Sequence, residues 1–226
     1  MKNSLLIKSL LLSLCMLFHQ GVLAASKAGE VKTIKGDVKA TLDQETRALS
    51  KGDEVFANDL IRTEPGSLVE IRFVDDSKFL VGPDSEMKVD KFSYNQPDTE
   101  NKLSTRLVKG TFRFVTGLIA RYKPDSMEVN TAVATIGIRG TTVAVEANAT
   151  SSTVVLEEPE DSTRATAIEV SNQYGSVVID EPGYGTEIPD QFSPPSPPQR
   201  MRLRTIDNLM RSLQSIQRIN IPRPRH

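Results

Sequence analysis

Asn130-Thr131-Ala132-Val133-Ala134-Thr135-Ile136-Gly137-Ile138-Arg139-Gly140-Thr141-Thr142-Val143-Ala144-Val145-Glu146 is the stretch on which the reading of this chain turns. It is rich in β-branched residues, carries one charge between its ends and is interrupted by Gly137 and Gly140. That pattern reads as two extended segments meeting at a tight bend. Val129, Val133, Ile136, Ile138, Val143 and Val145 form an apolar seam with Arg139 in its middle. An arginine so placed has two fates: its guanidinium is satisfied by carbonyls and a carboxylate inside the fold, or it lies at a surface and faces a partner. Beside apolar residues and between glycines, the internal brace is the commoner fate. No reaction centre is visible in the stretch.

Outward from it, short alternating segments are separated by turn residues. In Val69-Glu70-Ile71-Arg72-Phe73 the apolar residues fall on one face and the charges on the other, as in a half-buried strand. Gly36, Gly52, Gly66 and Gly82 recur at steps of 16, 14 and 16 residues, and Lys35-Gly36-Asp37, Lys51-Gly52-Asp53 and Lys109-Gly110-Thr111 repeat one turn chemistry. One turn per step of about fifteen residues suits the coils of a β-solenoid or the hairpins of a β-sandwich. Leu103 to Val115 continues the alternation, Thr153-Val154-Val155-Leu156 reads as a strand, and Ala167-Ile168-Glu169-Val170 with Ser176-Val177-Val178-Ile179 reads as a hairpin. Glu157 to Ser162 has nothing to bury and reads as an exposed acidic loop.

Thr131 to Thr141 resembles the signature of the FecR-domain family, an envelope domain of iron-uptake signalling regulators. Supporting matches are Leu49-Ser50-Lys51-Gly52-Asp53, Ile61-Arg62-Thr63, Glu70-Ile71-Arg72-Phe73, Leu80-Val81-Gly82-Pro83-Asp84-Ser85-Glu86 and Val108-Lys109-Gly110-Thr111-Phe112-Arg113. Together they span about residues 28 to 185. The resemblance implies the solenoid-like option, with the β-sandwich as the alternative, and a domain closed by the turn Glu181-Pro182-Gly183-Tyr184-Gly185. Family regulators join this domain to a transmembrane helix and a cytoplasmic anti-sigma segment. This chain is expected to have neither, so the resemblance implies protein recognition, in envelope signalling or assembly. In one hairpin, Asp75-Asp76-Ser77 stands where relatives carry Asp-Gly-Ser or Asp-Gly-Thr; aspartate tolerates the left-handed conformation, so the turn is expected to survive.

Lys2 and Lys8, the apolar run Leu10 to Phe18 and the small-residue site Val22-Leu23-Ala24 read as a signal peptide cleaved after Ala24. An uncleaved anchor is the alternative. Leu14 precedes Cys15 where a lipoprotein signal needs a small residue, so no lipid anchor is expected. The mature protein is expected in the periplasm or secreted. Cys15 and His19 leave with the signal, and only His226 remains of those two residue types. A thiolate nucleophile, a disulfide, a Cys/His zinc site and a Ser-His-Asp triad are thereby excluded together, and no Walker-type phosphate loop is present. Neither a cofactor nor a small-molecule substrate is expected. Asp75, Asp76, Asp84 and Glu86 lack the spacing of a calcium loop and read as solvated turn acids.

The formal charge is −1 for the whole chain. The signal carries two lysines and no acid, and from Arg200 to His226 seven arginines stand against Asp207, so the tail holds +6 and the body between −9. An acidic body argues against nucleic acid as a partner. The expected organisation is a signal peptide over 1–24, one all-β domain over 25–188, a Pro-rich linker over 189–199 and a basic amphipathic tail over 200–226. Ser193-Pro194-Pro195-Ser196-Pro197-Pro198 reads as a stiff polyproline spacer. In the tail, Leu203, Ile206, Leu209, Met210, Leu213 and Ile216 recur at helical steps. Three fates compete for that helix: packing back on the acidic body, a groove on a partner, or an anionic membrane surface.

The expected function is therefore non-catalytic recognition of an envelope protein, with Arg139, Arg202, Leu203, Ile206, Leu209, Met210 and Leu213 as candidate contacts. A cell-wall or polysaccharide-binding module is the alternative, but the chain has no tryptophan and only four tyrosines for the aromatic surface it needs. A carboxylate-based hydrolase using a pair such as Glu70 and Asp75 is a third class, and no spacing singles out such a pair.

Overall fold

The computed structural model describes residues 26–94, 101–159 and 166–219. The signal peptide, the tip of the polar loop after Tyr94, the second half of the acidic loop and the last seven residues lie outside the described residues. The first half of the chain forms β1 (Lys27–Lys35), β2 (Val38–Leu42), β3 (Glu45–Ala48), β4 (Glu54–Phe56), β5 (Leu60–Thr63), β6 (Leu68–Phe73), β7 (Lys78–Val81), β8 (Glu86–Ser93) and the long β9 (Lys102–Val115). A short helix α1 (Leu118–Tyr122) and a 3-10 turn (Pro124–Ser126) lead to β10 (Met127–Asn130), β11 (Thr135–Arg139), β12 (Thr142–Ala147) and β13 (Ser152–Glu157). Then follow β14 (Ala167–Asn172), β15 (Gly175–Ile179), β16 (Tyr184–Ile188), β17 (Gln199–Arg200) and the helix α2 (Arg204–Ile219).

The strands lie in two layers that share β9. The first layer runs β4-β1-β6-β7-β9-β12-β13-β16-β17. The second runs β3-β2-β5-β8-β9-β10-β11-β14-β15. β9 pairs with β8 and β10 through its first half and with β7 and β12 through its second. Gly110 sits where it changes layer, with φ of +117°, a region open to glycine alone at low cost. From β10 onward the chain adds one hairpin to each layer in turn. That sequential stacking is the solenoid-like order expected, and the two facing layers give it the form of the sandwich alternative.

The alternation in the sequence explains the core. Phe73, Phe79, Phe112, Phe114, Val143, Val145 and Leu156 from the first layer meet Ile61, Met87, Leu103, Leu107, Val129, Ile136, Ile138 and Ile168 from the second in one apolar cluster. Each such side chain contributes about 1.5–3 kcal/mol by leaving water. All six apolar residues of the central seam are buried. The bend expected there is at Gly140, with φ of +64°, and it carries the chain from β11 in one layer to β12 in the other. Gly137 lies inside β11.

The C-terminal third is more closely integrated than the sequence suggests. Tyr184 and Gly185 open β16 instead of closing the domain, and Arg200 and Gln199 pair with them as β17. Between these strands the proline segment lies along the domain. The Thr186 hydroxyl donates to the Ser196 carbonyl at 2.7 Å, the Ser196 amide donates to the Glu187 carbonyl at 2.9 Å, and the Asn172 amide group donates to the Ser193 carbonyl at 2.8 Å. α2 then packs on the outer face of the first layer. Leu209 and Leu213 cover Leu68 and Leu80, and Ile206 covers Ala144 and Val155.

Candidate functional site

Ile136 and Ile138 of β11 point into the core, so strand parity sends Arg139 outward on the second layer. The side chain is exposed, and among the described residues no hydrogen bond or ion pair holds its guanidinium. It is not the internal brace that sequence reasoning favoured; the alternation around it carried the signal. Arg139 borders a shallow cleft of about 180 Å³ that also meets Asp125, Glu128 and Glu169 over a floor formed at Gly137. Glu128 is engaged by Asn130 at 2.8 Å and by Lys102 at 3.6 Å.

The tail residues gather on the opposite layer. Ile206, Leu209 and Leu213 are buried against the sheet, and Leu203 and Met210 are half-buried beside them. Gly82 lies beneath this contact, where a β-carbon would stand 3.0 Å from the Thr111 carbonyl and 3.3 Å from Leu209, so a side chain there would crowd the seat of α2. Glu146 of β12 accepts a hydrogen bond from the Thr205 hydroxyl at the start of the helix. Arg202 is exposed and donates to Asp207 at 2.8 Å, which holds its guanidinium above the ordinary arginine range. Arg200, Arg204 and Arg211 are exposed too. The fold thus brings the six tail candidates together and leaves Arg139 apart from them.

Two acids have structural roles that the sequence did not disclose. Asp59 is fully buried and receives Arg47 in a bidentate pair at 2.8 and 2.5 Å, while the Phe56 amide donates to it at 2.7 Å. The Arg47 guanidinium also lies 5.2 Å from the centre of the Phe56 ring. Asp75, read from sequence as a solvated turn acid, is fully buried. Its carboxylate accepts from the Ser77 amide and hydroxyl at 3.1 and 2.8 Å and from the Ile119 amide at 3.3 Å, tying the β6–β7 turn to α1. Burial pushes the Asp75 carboxyl above its ordinary value, against the pull of those hydrogen bonds. Asp76 takes the left-handed conformation expected of it, with φ of +66°. Glu70, its proposed catalytic companion, accepts from Thr33 at 2.9 Å.

No group of three or more His, Cys, Asp or Glu side chains suited to a metal ion occurs among the described residues. What is on display is a two-layered β domain with an exposed arginine turn on one face and a docked basic helix on the other. The sequence profile of the FecR protein family matches residues 59–159, from the start of β5 to just beyond β13. Over that segment the chain is similar to the FecR family. Two crystal structures of a candidate anti-sigma factor from Parabacteroides distasonis, at 2.50 and 1.65 Å resolution, resemble it with TM-scores of 0.50 and 0.49 at 12% identity. These matches cover 67% of this chain and 63% and 64% of those chains, so this chain spans just under two thirds of their length. At that identity the likeness is one of fold. A cell surface anchoring domain is 27% identical over 27% of this chain and 82% of its own, with a TM-score of 0.26. No curated protein matches the chain.

Proposed function

We propose that this chain is a non-catalytic FecR-domain protein of the cell envelope that acts by recognising another envelope protein, in signalling or in assembly. The observation that carries the reading is Arg139, which stands exposed and unpaired among the described residues within the family-like signature. A guanidinium held beside a cleft by a rigid strand is suited to bidentate contact with a partner's carboxylate. Arg202 and the neighbouring exposed arginines of the tail offer a second basic surface. Leu203, Ile206, Leu209, Met210 and Leu213 contribute by seating the helix that carries it. No described helix is long and apolar enough to cross a membrane; export rests on the leader read from the sequence.

The test is photo-cross-linking in intact cells, with the cross-linking residue placed in turn at positions 139 and 204, followed by mass spectrometry. The expected result is one defined envelope protein captured from position 139; capture of the same protein from position 204, lost on Arg202→Glu, would bring the tail into the contact. Arg139→Ala, made separately, is expected to lose that partner while leaving thermal stability within about 0.5 kcal/mol of the parent. Capture of glycan without protein would favour the polysaccharide reading, and a large drop in stability on Arg139→Ala would return the arginine to a structural role.

A further inference from the structure

The two layers end in four edge strands, and three of them are guarded. β4 has three residues, its Glu54 pairs with Lys27 at 2.7 Å, and its Glu54 carbonyl receives Arg47 at 3.2 Å. β3 has four residues, of which Glu45 and Arg47 are charged. β17 has two residues. Short strands, charges and covering side chains are the usual devices that keep a sheet edge from pairing with another chain.

Among the described residues, β15 lacks the charges and covering side chains, and only Pro194 of the proline segment packs near Gly175 at its start. Its sequence, Gly175-Ser176-Val177-Val178-Ile179, holds no charge and no proline, and its pairing with β14 runs without a register shift. No other described segment hydrogen-bonds to its backbone. Alternate residues of an edge strand turn their N–H and C=O groups away from the one neighbour they have, so β15 presents a row of donors and acceptors that no other described segment meets. Apolar surface surrounds that row: Val178 is 59% exposed, Tyr174 45% and Phe192 66%. The proline segment brings Phe192 to this end of the layer through the Asn172 contact to the Ser193 carbonyl.

We propose that the free edge of β15 docks an extended segment of a partner protein, which adds to the second layer as a further strand. Backbone pairing would provide affinity, and side chains at every second position would meet Val177 and Ile179 on the core side. The segment's chemistry follows from the border of the edge. Glu169 stands opposite Val178 on β14, and Asp180 and Glu181 follow β15 directly, so the segment is apolar at alternate positions and basic at the end that lies beside these acids. The edge lies two strands beyond Arg139 and shares with its cleft only Glu169 of the residues named, so Arg139 and the β15 edge can be tested separately.

The test uses the full exported chain and a synthetic peptide of alternating valine and threonine with lysine at both ends. Amide hydrogen exchange is followed residue by residue by NMR. Binding is expected to slow exchange at β15 by about tenfold or more while leaving β3 and β4 unchanged. The same peptide N-methylated along one edge, which cannot pair, is expected to bind no better than buffer. Val178→Lys, a guarded edge with the fold intact, is expected to lose the protection, and Arg139→Ala to keep it. Equal binding of the N-methylated peptide, or no protection at β15, overturns the proposal. So does a dimer whose dissociation frees the β15 amides, for the edge then belongs to a second copy.

Discussion

The two outer faces of the domain arise from one alternating pattern and meet different ends. On the second layer the outward positions from β2 to β9 are largely polar: Lys39, Arg62 and Glu86 stand in one row across three strands, Arg62 pairs with Glu86 at 2.9 Å, and Arg106 with Asp90 at 3.2 Å. That face meets water. On the first layer the outward row includes Leu68, Leu80, Ala144 and Val155, which are buried only because α2 lies over them. An apolar stripe on the wrong side of a sheet needs a cover, and the amphipathic tail supplies one. The basic helix is thus part of the folded unit, and its exposed arginines are carried on a fixed support.

The sharpest way to break this contrast is Leu80→Asp, which puts a carboxylate beneath the helix. It is expected to cost roughly 3 kcal/mol and to release α2, read as lower unfolding stability in urea with a loss of helical ellipticity. The matching change on the other face, Lys39→Ser, is expected to stay within about 0.5 kcal/mol, and a comparable loss there would erase the distinction between the faces. Next in size is Arg47→Ala, which strands the buried Asp59 carboxylate. Its expected cost is about 2–3 kcal/mol by the same denaturation, at the low end for a broken buried pair because Arg47 is itself a third exposed.

A smaller effect separates Asp75 from the surface acids by its pH dependence. Its folded value is raised by burial, so the native state keeps the proton where the unfolded chain has released it. Stability therefore falls as pH rises from the ordinary carboxylate value of 3.8 up to the raised folded value, and is level above that. Comparing the pH dependence of unfolding for the parent and Asp75→Asn should show this slope in the parent alone. The same slope in both proteins would assign it to other carboxylates.

Periodicity made much of the fold legible. Val69 to Phe73, Thr153 to Leu156 and the hairpin around Gly175 fall where alternation and turn residues put them, and the family signature marked the seam at the centre of the core. Arg139 shows how a pattern can be read and then overruled: Ile136 and Ile138 fix its outward side by parity, yet the frequency of buried braces pointed inward. Asp75 is the opposite case. An aspartate in a polar turn reads as solvated, and nothing local announces that Gly117 and α1 will close over it. The Gly117 amide donates to the Ser77 hydroxyl at 2.9 Å across forty residues of chain.

The sequence by itself determined which residues face inward, where the chain turns, that the tail is a basic amphipathic helix, and which family the middle of the chain resembles. These are local properties, set by side-chain parity, turn chemistry and helical spacing. Tertiary structure alone decided which layer each strand joins, that β9 serves both, that the proline segment lies along the sheet, and that α2 covers the first layer. Alternation names a face without naming its partner, and pairing across more than a hundred residues depends on the summed fit of two surfaces that no local window contains.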